Sequence, residues 1–458
     1  MPNILILGAG RVGTSVAEQL VRENYNVTIV DENASNLQPL ADKLDLKTLV
    51  GHAANPVTLA NAGAADADLL LAVTPSDELN MVACKMAHRL FNIPTRLGRI
   101  RDQDILSHAE LFNTDGFAID HIITPAQIVT DLLARLVATP EALQVLDFGK
   151  ARAKMVAVRV EAGSRMDGKD LATMAQYLDE VDCRVVSIYR KNKRINPDGA
   201  TTLSVGDEVF FLAARKDIRT VLSLLRATEQ AIKRITICGG GNVGYRLAQV
   251  LADDYQVKII EINRERAQWL AEHLPKCLIL RGEATDENLL DNEQVDRCDL
   301  FLALTSDDED NIMSSLLAKQ MGARKVVAII NRSRYVDLLQ GGKIDVAISP
   351  AQATIGALLT HVRQGDIVAV HSLRRGEAEA IELIAHGDRS NSRVVGRRVE
   401  EIKLPQGANL AAVIRGEQVI MAHHDTVIEN EDHVVVFIDN KNHIRAIEQL
   451  FAVKIGFF

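Results

Sequence analysis

An internal repeat is the feature of this sequence that most restricts how the chain can fold. The segment GAGRVG at residues 8–13 recurs as GGGNVG at residues 239–244, an offset of 231 residues. Later matches, such as PAQ at residues 125–127 and again at residues 350–352, follow an offset of 225. The first copy is therefore six residues longer between Arg101 and Pro125. Matches spread this widely indicate that one structural unit occurs twice in tandem.

Length and composition limit the class of protein further. A chain of 458 residues with 47% hydrophobic residues is too long for one core and too apolar to be largely disordered. Its formal net charge of −9 argues against a broad nucleic-acid surface, which requires a basic face, so we expect no nucleic-acid partner. Five cysteines without a C-x-x-C pair are typical of reduced thiols. With no signal peptide pattern and only strand-sized apolar runs, we expect a cytoplasmic protein.

Each copy begins with short apolar runs separated by helical patterns. Runs that are almost continuously apolar are typical of strands buried on both faces of a parallel sheet. We therefore predict a doubly wound, Rossmann-like α/β domain at the start of each copy. The runs are Ile4–Leu7, Val27–Val30, Thr48–Val50, Leu69–Val73, Leu97–Ile100 and Ile119–Ile123 in the first copy, and Ile235–Ile237, Val257–Ile260, Leu278–Leu280, Leu300–Leu304, Val326–Ile330 and Val346–Ile348 in the second.

The pattern changes after Pro125 and Pro350, where helical connectors at 126–137 and 351–362 precede shorter strands. We predict a small α+β domain after each Rossmann-like domain, which gives domains at 1–138, 139–228, 232–363 and 364–458. The predicted strands are Met155–Val160, Arg184–Tyr189 and Val209–Leu212, matched respectively with Ile367–Val370, Leu410–Ile414 and Val434–Ile438, and the closing helices are Asp217–Arg226 and Lys441–Phe451.

The two glycine segments have the chemistry of a pyrophosphate cradle. In G-x-G-x-x-G the first glycine makes a tight turn, the second leaves room for phosphate, and the third lets the helix pack on the strand. An acid ends the second strand of each copy, Asp31 at 23 residues and Glu261 at 22 residues after the first glycine. A carboxylate there accepts ribose hydroxyls and repels a 2′-phosphate. The pattern predicts adenine-nucleotide binding and favours NAD(H) over its 2′-phosphorylated form. ATP and ADP have the same free ribose, so the pattern does not distinguish them from NAD(H).

Other candidate residues follow from topology, because ligands of open α/β sheets lie beyond the carboxyl ends of the strands. The loops after the third, fourth and fifth strands should line the site, with Arg101 and Arg332 able to reach phosphate. At equivalent positions of the repeat, the first copy has Arg11 where the second has Asn242, and His52 where the second has Glu283. We therefore expect the two sites to differ in affinity or in the nucleotide that they bind. The predicted site residues are Gly8, Ala9, Gly10, Arg11, Val12, Gly13, Asp31, His52, Ala53, Thr74 and Arg101, and then Gly239, Gly240, Gly241, Asn242, Val243, Gly244, Glu261, Glu283, Ala284, Thr305 and Arg332.

No residue set predicts catalysis or a metal site. Tyr189 and Lys193 have the Y-x-x-x-K spacing of some dehydrogenases, but we expect them on a strand and turn rather than one helical turn apart. His423, His424 and His433 could suggest a metal site, but we expect the pair His423 and His424 on a strand, pointing to opposite faces and unable to share a metal. We therefore predict a protein that is not an enzyme. An NAD-dependent oxidoreductase of unknown substrate stays open as the alternative.

Together these motifs resemble the RCK (KTN) family, cytosolic regulators of potassium channels and transporters. The resemblance covers nearly the whole chain as two RCK N-terminal domains, each followed by an RCK C-terminal domain. The residues that carry it are GAGRVG with Asp31, the T-x-S-D-E-x-N stretch at 74–80 and Arg101 in the first copy, and GGGNVG with Glu261, TSDDEDN at 305–311 and IDVAISP at 344–350 in the second.

The resemblance implies a regulator that responds to NAD(H) and to ATP or ADP. It implies rings of eight Rossmann-like domains, hence a homotetramer, and an integral-membrane potassium-translocating partner. It assigns one nucleotide to Gly8, Gly10, Gly13 and Asp31, and another to Gly239, Gly241, Gly244 and Glu261. His52 departs from the family's usual acid, and Asn242 replaces a frequent arginine. We expect a peripheral position on the inner face of the membrane, held by the protein partner because a net charge of −9 disfavours anionic lipid.

Overall fold

The computed structural model describes residues 2–227, 231–332, 335, 339, 342–363, 366–374, 377–440 and 443–453. The chain forms two compact units. The first unit consists of residues 1–129 and 350–362, and the second unit consists of residues 130–349 and 363–458. Among the described residues, no helix is both long and apolar enough to cross a bilayer.

The first unit is built on a six-stranded parallel sheet of order β3-β2-β1-β4-β5-β6. Its central strands are fully buried, and α1 packs on them through Val16, Ala17 and Leu20. The elements are β1 (Asn3–Leu7), α1 (Arg11–Arg22), β2 (Asn26–Asp31), α2 (Ala34–Ala41), β3 (Lys47–Val50), α3 (Pro56–Asn61), β4 (Leu69–Ala72), α4 (Asp77–Phe91), β5 (Thr95–Arg99), α5 (Gln103–Leu106), β6 (His121–Ile123) and α6 (Pro125–Ala138).

The first small domain is a five-stranded antiparallel sheet of order β10-β9-β11-β8-β7 with two helices. Its buried strand residues are mostly large and apolar, such as Phe148 and Phe211. The elements are β7 (Ala142–Phe148), β8 (Ala153–Arg159), α7 (Leu171–Leu178), β9 (Cys183–Arg190), β10 (Lys193–Ile195), β11 (Glu208–Ala214) and α8 (Ile218–Leu225).

The second Rossmann-like domain repeats the first, with parallel strand order β14-β13-β12-β15-β16-β17. The same strand order in both copies confirms the doubly wound architecture that the apolar runs predict. The elements are β12 (Arg234–Cys238), α9 (Asn242–Leu251), β13 (Gln256–Glu261), α10 (Arg264–His273), β14 (Leu278–Arg281), α11 (Glu287–Asn292), β15 (Leu300–Ala303), α12 (Asp308–Met321), β16 (Lys325–Ile329) and β17 (Val346–Ile348).

A connector helix and the second small domain follow. The sheet is antiparallel with order β18-β19-β22-β20-β21. The elements are α13 (Pro350–Val362), β18 (Ile367–Leu373), β19 (Ala378–Ile384), β20 (Ala408–Arg415), β21 (Gln418–Met421), β22 (His433–Ile438) and α14 (Ile444–Phe451).

The two small domains share one hydrophobic core inside the second unit. Phe148, Tyr189 and Phe210 of the first copy pack in the same cluster as Leu373 and Phe437 of the second. Buried polar groups also join the domains, since the carboxylate of Glu382 accepts a hydrogen bond from the Gly149 N–H at 2.9 Å. The repeated domains are therefore bound to each other within one chain.

Helix α13 comes from the second copy but belongs to the first unit, where it packs on α1. The imidazole of His361 on α13 stacks on that of His121 on β6, with ring centroids 3.7 Å apart. Burial, followed by the proximity of His121, lowers the pKa of His361 to about 4, so His361 is uncharged at neutral pH. The helix after the second parallel sheet thus completes the first unit.

The small domains differ from the prediction in their matching and content. Ile367–Val370 lies in β18, which is the counterpart of β7, whereas the predicted partner run at 155–160 lies in β8, the counterpart of β19. Strands β7 and β19 and helix α7 were not predicted. In β7, buried residues are interrupted by partly exposed ones, so no continuous apolar run marks it. The predicted closing helix begins only at Ile444, and Lys441 and Asn442 lie outside the described residues.

A buried ion pair fixes the residue that follows α13. Arg363 Nη1 lies 2.8 Å from Glu379 Oε2, with side chains 0% and 2% exposed. We expect Glu379→Gln to lower the free energy of unfolding by about 3 kcal/mol, because the buried guanidinium loses its counter-charge. Urea unfolding followed by circular dichroism measures this.

Glu400→Gln is the matched control for that substitution. Glu400 pairs with Arg398 at the surface, at 3.7 Å, so its loss should cost less than about 1 kcal/mol. A loss at Glu379 no larger than the loss at Glu400 would contradict the importance of the buried pair.

Candidate functional site

The first glycine segment forms a tight strand-to-helix turn between β1 and α1. Gly8 has a φ of +106°, a conformation that L side chains rarely adopt. A Cβ on Gly13 would lie 1.9 Å from the carbonyl oxygen of Gly8, so only glycine permits this approach of helix to strand. A Cβ on Gly10 would meet nothing within 4 Å. The space above Gly10 is therefore open to a ligand at the amino end of α1.

The second glycine segment has the same geometry between β12 and α9. Gly239 has a φ of +99°, a Cβ on Gly244 would lie 2.0 Å from the Gly239 carbonyl oxygen, and one on Gly241 would meet nothing within 4 Å. Gly240, at the position of Ala9, is packed more tightly, since a Cβ there would lie 2.1 Å from Leu270 Cδ1. Both segments fit a pyrophosphate. Packing alone does not require a glycine at Gly10 or Gly241, and the absence of a side chain at these two positions leaves room for phosphate.

The acid at the end of the second strand is held against the glycine segment in both copies. Asp31 Oδ2 accepts a hydrogen bond from Ala9 N at 2.7 Å, and Oδ1 accepts one from Asn33 N at 2.9 Å. In the second copy Glu261 Oε2 accepts from Gly240 N at 2.8 Å. These bonds orient the carboxylates beside the cradle and leave oxygen lone pairs for ribose hydroxyls.

The loops after the third strands differ between the copies. His52 Nε2 lies 3.7 Å from the carboxylate of Glu32, the residue after Asp31. In the second copy the corresponding residues are Glu283 and the exposed Ile262. Ala53 is buried and packs in the first parallel-sheet core, and Ala284 is partly buried in the second. The region predicted to face a purine therefore has two polar side chains in the first copy, and one acidic and one apolar side chain in the second.

The threonine after the fourth strand is held by an asparagine six residues on. Thr74 N and Oγ1 donate to Asn80 Oδ1 at 2.9 and 2.8 Å, and Asn80 Nδ2 donates to Arg99 O at 2.9 Å. Thr305 and Asn311 repeat the first two contacts at the same distances. This use of the asparagine was not predicted, although its place at the end of T-x-S-D-E-x-N in both copies marked it. The asparagine joins the ends of two neighbouring strands at the ligand edge of the sheet.

The arginines after the fifth strands lie at this edge but bind acids of the helix that precedes each fifth strand. Arg101 Nε lies 3.1 Å from Asp77 Oδ1, and the Arg101 N–H donates to Asp77 Oδ2 at 2.7 Å. Burial opposes ionisation of Asp77, but the hydrogen bonds from Arg101 and Asp102 outweigh it and lower its pKa. In the second copy the guanidinium of Arg332 pairs with Glu309 and donates to the Tyr335 hydroxyl. Contact of either arginine with phosphate stays a prediction and requires these pairs to open.

The residues considered for catalysis or for a metal site lie in the two small domains. Tyr189 lies on β9 and Lys193 begins β10, so they are on the two strands of a hairpin, not on a helix. His433 Nδ1 lies 2.5 Å from Glu382 Oε1, within the sheet of the second small domain. His423 and His424 follow β21 in a loop, and the expectation that they lie on a strand is wrong. The described residues contain no group of three or more His, Cys, Asp or Glu that could hold a metal ion.

Comparison with known families matches both copies. The TrkA-N domain family matches residues 4–125 and 235–350, and the TrkA-C domain family matches residues 155–226 and 389–452. The Trk system potassium uptake protein TrkA of Halomonas elongata is 51% identical over 455 residues, covering 99% of this chain and 100% of that protein. The protein of the same name from Vibrio alginolyticus is 51% identical over 449 residues, covering 98% of each chain.

Solved structures with similar folds include the GsuK channel and its RCK domain. The GsuK RCK domain has a TM-score of 0.61 at 16% identity, covering 98% of this chain and 95% of that one. The GsuK channel bound to NAD has a TM-score of 0.61 at 16% identity, covering 98% of this chain and 79% of that one. At this identity the likeness concerns the fold, and it confirms the predicted architecture of Rossmann-like RCK N-terminal domains with small C-terminal domains.

The glycines of one cradle should separate packing from ligand binding. We expect Gly13→Ala to lower the free energy of unfolding by about 1–3 kcal/mol, because its Cβ overlaps the Gly8 carbonyl. Gly10→Ala should leave stability within about 0.5 kcal/mol of the parent, since its Cβ has free space, but should weaken nucleotide binding at the first site by blocking the phosphates. Urea unfolding and calorimetric titration with ADP measure the two effects. Undiminished binding by Gly10→Ala would contradict the cradle assignment.

Proposed function

The chain belongs to the TrkA family, and from this premise we propose that it is the nucleotide-sensing regulatory subunit of a potassium-uptake system. The full-length relatives carry the name of potassium uptake proteins, which supports the transport role. In this proposal the chain binds NAD(H) and ATP or ADP at the two cradles and controls a membrane-embedded potassium-translocating subunit. It is not an enzyme.

One observation carries the nucleotide part of the proposal. In both copies the acid at the end of the second strand is hydrogen-bonded to the glycine segment, at 2.7 Å in the first and 2.8 Å in the second. A glycine turn retained only for packing does not require a carboxylate at that point. An adenine nucleotide requires both groups, since its phosphates need the open glycine and its ribose needs the acceptor.

Regulation follows from the acid-bound arginines at the edge of each cradle. Phosphate competes with Asp77 for Arg101, and with Glu309 for Arg332. Withdrawal of either arginine loosens the end of the fifth strand from the helix that precedes it. Nucleotides of different charge, also sensed at Arg11, then favour different domain arrangements, and a nucleotide shifts the equilibrium only by its difference in affinity for them.

Helix α13 connects the first cradle to the second small domain along the chain. Helix α13 packs on α1, whose amino end forms the first cradle. The next residue along the chain, Arg363, is fixed by its buried pair with Glu379 of β19. A change in α1 on nucleotide binding is therefore passed along α13 to the second small domain. Four chains arranged as a ring of eight Rossmann-like domains would transmit such changes to the transporter.

Attachment to the membrane is proposed to depend on that transporter. The formal net charge of −9 disfavours binding to anionic lipid, so a protein contact on the inner face of the membrane is required. Tagged chain purified from native membranes should carry an integral potassium transporter, identified by mass spectrometry. Recovery of soluble partners alone, with turnover of NADH by a metabolite, would favour the oxidoreductase alternative.

Nucleotide control of transport should depend on both acids. We expect the double substitution Asp31→Asn and Glu261→Gln to weaken nucleotide binding at each site at least tenfold, because a charged acceptor of ribose is lost. The nucleotide response of potassium flux into vesicles holding chain and transporter should fall in parallel.

The matched control for that double substitution removes exposed acids away from the cradles. Asp45→Asn, beyond the amino end of β3, and Glu272→Gln, in the last turn of α10, should leave the nucleotide response unchanged. A full flux response in the Asp31 and Glu261 double variant would contradict the proposed sensing role.

A further inference from the structure

The second nucleotide cradle lacks the arginine that the first one carries. Arg11 is the first residue of α1 and is exposed beside the cradle, whereas Asn242 begins α9. A phosphate at the second site would therefore have the amino end of α9 but no cation from the first residue of that helix. The acid Glu261 adds a negative charge close by, so a compensating cation is needed for tight binding of a nucleotide.

Arg266 supplies a cation from the neighbouring helix. It lies in the first turn of α10 and its Nε donates to the carbonyl oxygen of Gly240 at 2.7 Å. The N–H of the same glycine donates to Glu261 Oε2 at 2.8 Å. The ribose-binding acid, the glycine segment and the guanidinium thus form one hydrogen-bonded series.

Aromatic side chains hold this guanidinium in place. Its central carbon lies 4.2 Å from the ring centroid of Trp269 and 5.7 Å from that of Tyr245. Trp269 in turn stacks on His273, with centroids 4.0 Å apart and ring planes 17° apart. Within the described chain no hydrogen bond or ion pair engages the two terminal nitrogens of Arg266. A half-buried guanidinium fixed by Nε and stacking, with two donor nitrogens left over, is ready to bind an anion.

The first copy has no such arrangement. The position equivalent to Arg266 is Asn36, which is neutral and donates its side-chain amide to Asp31 Oδ1 at 3.1 Å. Arg11 beside the first cradle therefore comes from the helix after the glycines, and Arg266 beside the second comes from the helix after the acid.

We propose that Arg266 is the phosphate-binding cation of the second nucleotide site, in the role that Arg11 has at the first. This inference depends on the proposed function, because it assumes a nucleotide at Glu261. The guanidinium binds a phosphate of an adenine nucleotide through its terminal nitrogens while Nε stays on Gly240. A purely structural link between α9 and α10 is the competing role, and it predicts no dependence on ligand charge.

The chain itself provides a probe for this site. Trp269 is the single tryptophan of the sequence and lies against Arg266, so its fluorescence reports on the second site alone. Titration with adenosine and with ADP should change the emission, and ADP should bind more tightly because of its phosphates. Arg266→Gln should weaken ADP binding at least tenfold and leave adenosine binding unchanged, and Arg266→Lys should restore part of the loss.

A control and a second readout separate binding from damage to the fold. Arg264→Gln, on an exposed residue of the same helix, should leave both affinities unchanged. Calorimetry in a Gly10→Ala background, where the first cradle is blocked, gives the second-site affinity without relying on fluorescence. Equal losses for adenosine and ADP, or no loss for ADP, would overturn the role of Arg266. Absence of nucleotide binding by the parent chain in both readouts would overturn the proposed function itself.

Discussion

A hydrogen bond from a backbone N–H of the glycine segment to the acid of the second strand is the interaction on which each nucleotide cradle depends. It joins Ala9 to Asp31 and Gly240 to Glu261. The bond brings the glycine turn proposed to bind phosphate and the acid proposed to bind ribose together at the carboxyl edge of the parallel sheet. The close approach of the third glycine to the first sets the helix beside them, so its amino end faces the same space. The proposed regulation depends on this fixed arrangement of the glycine segment, the acid and the amino end of the helix.

The two copies share this arrangement of glycine segment, acid and helix, but they differ in the side chains around it. The strand orders of the two parallel sheets are the same, and each fourth-strand threonine is held by an asparagine. The charged groups differ, with Arg11 in one copy and Arg266 in the other. The small domains share one core, while α13 crosses from the second copy into the first unit. In the proposed function, such a chain joins two unlike nucleotide sites to one pair of small domains that share a core.

Local chemistry was predictable from sequence, and long-range pairing was not. The glycines and acids follow from spacing, because their roles are set by the backbone within one β-α-β unit. The pairing of Arg101 with Asp77 depends on two strands ending side by side, which the pattern does not specify. Strand β7 was missed because partly exposed residues interrupt its buried ones. The transfer of α13 could not be anticipated, since its connector pattern matches that of α6. Arg266 was missed because its counterpart, Asn36, is not an arginine.

The proposed function requires two unlike nucleotide sites in each chain. Isothermal titration calorimetry of the intact chain with NADH and with ADP measures their number and affinities directly. For at least one of these nucleotides we expect two binding events per chain with unequal dissociation constants, because the cations and the purine-facing residues differ. A single event per chain, or two events of equal affinity for both nucleotides, would contradict the account.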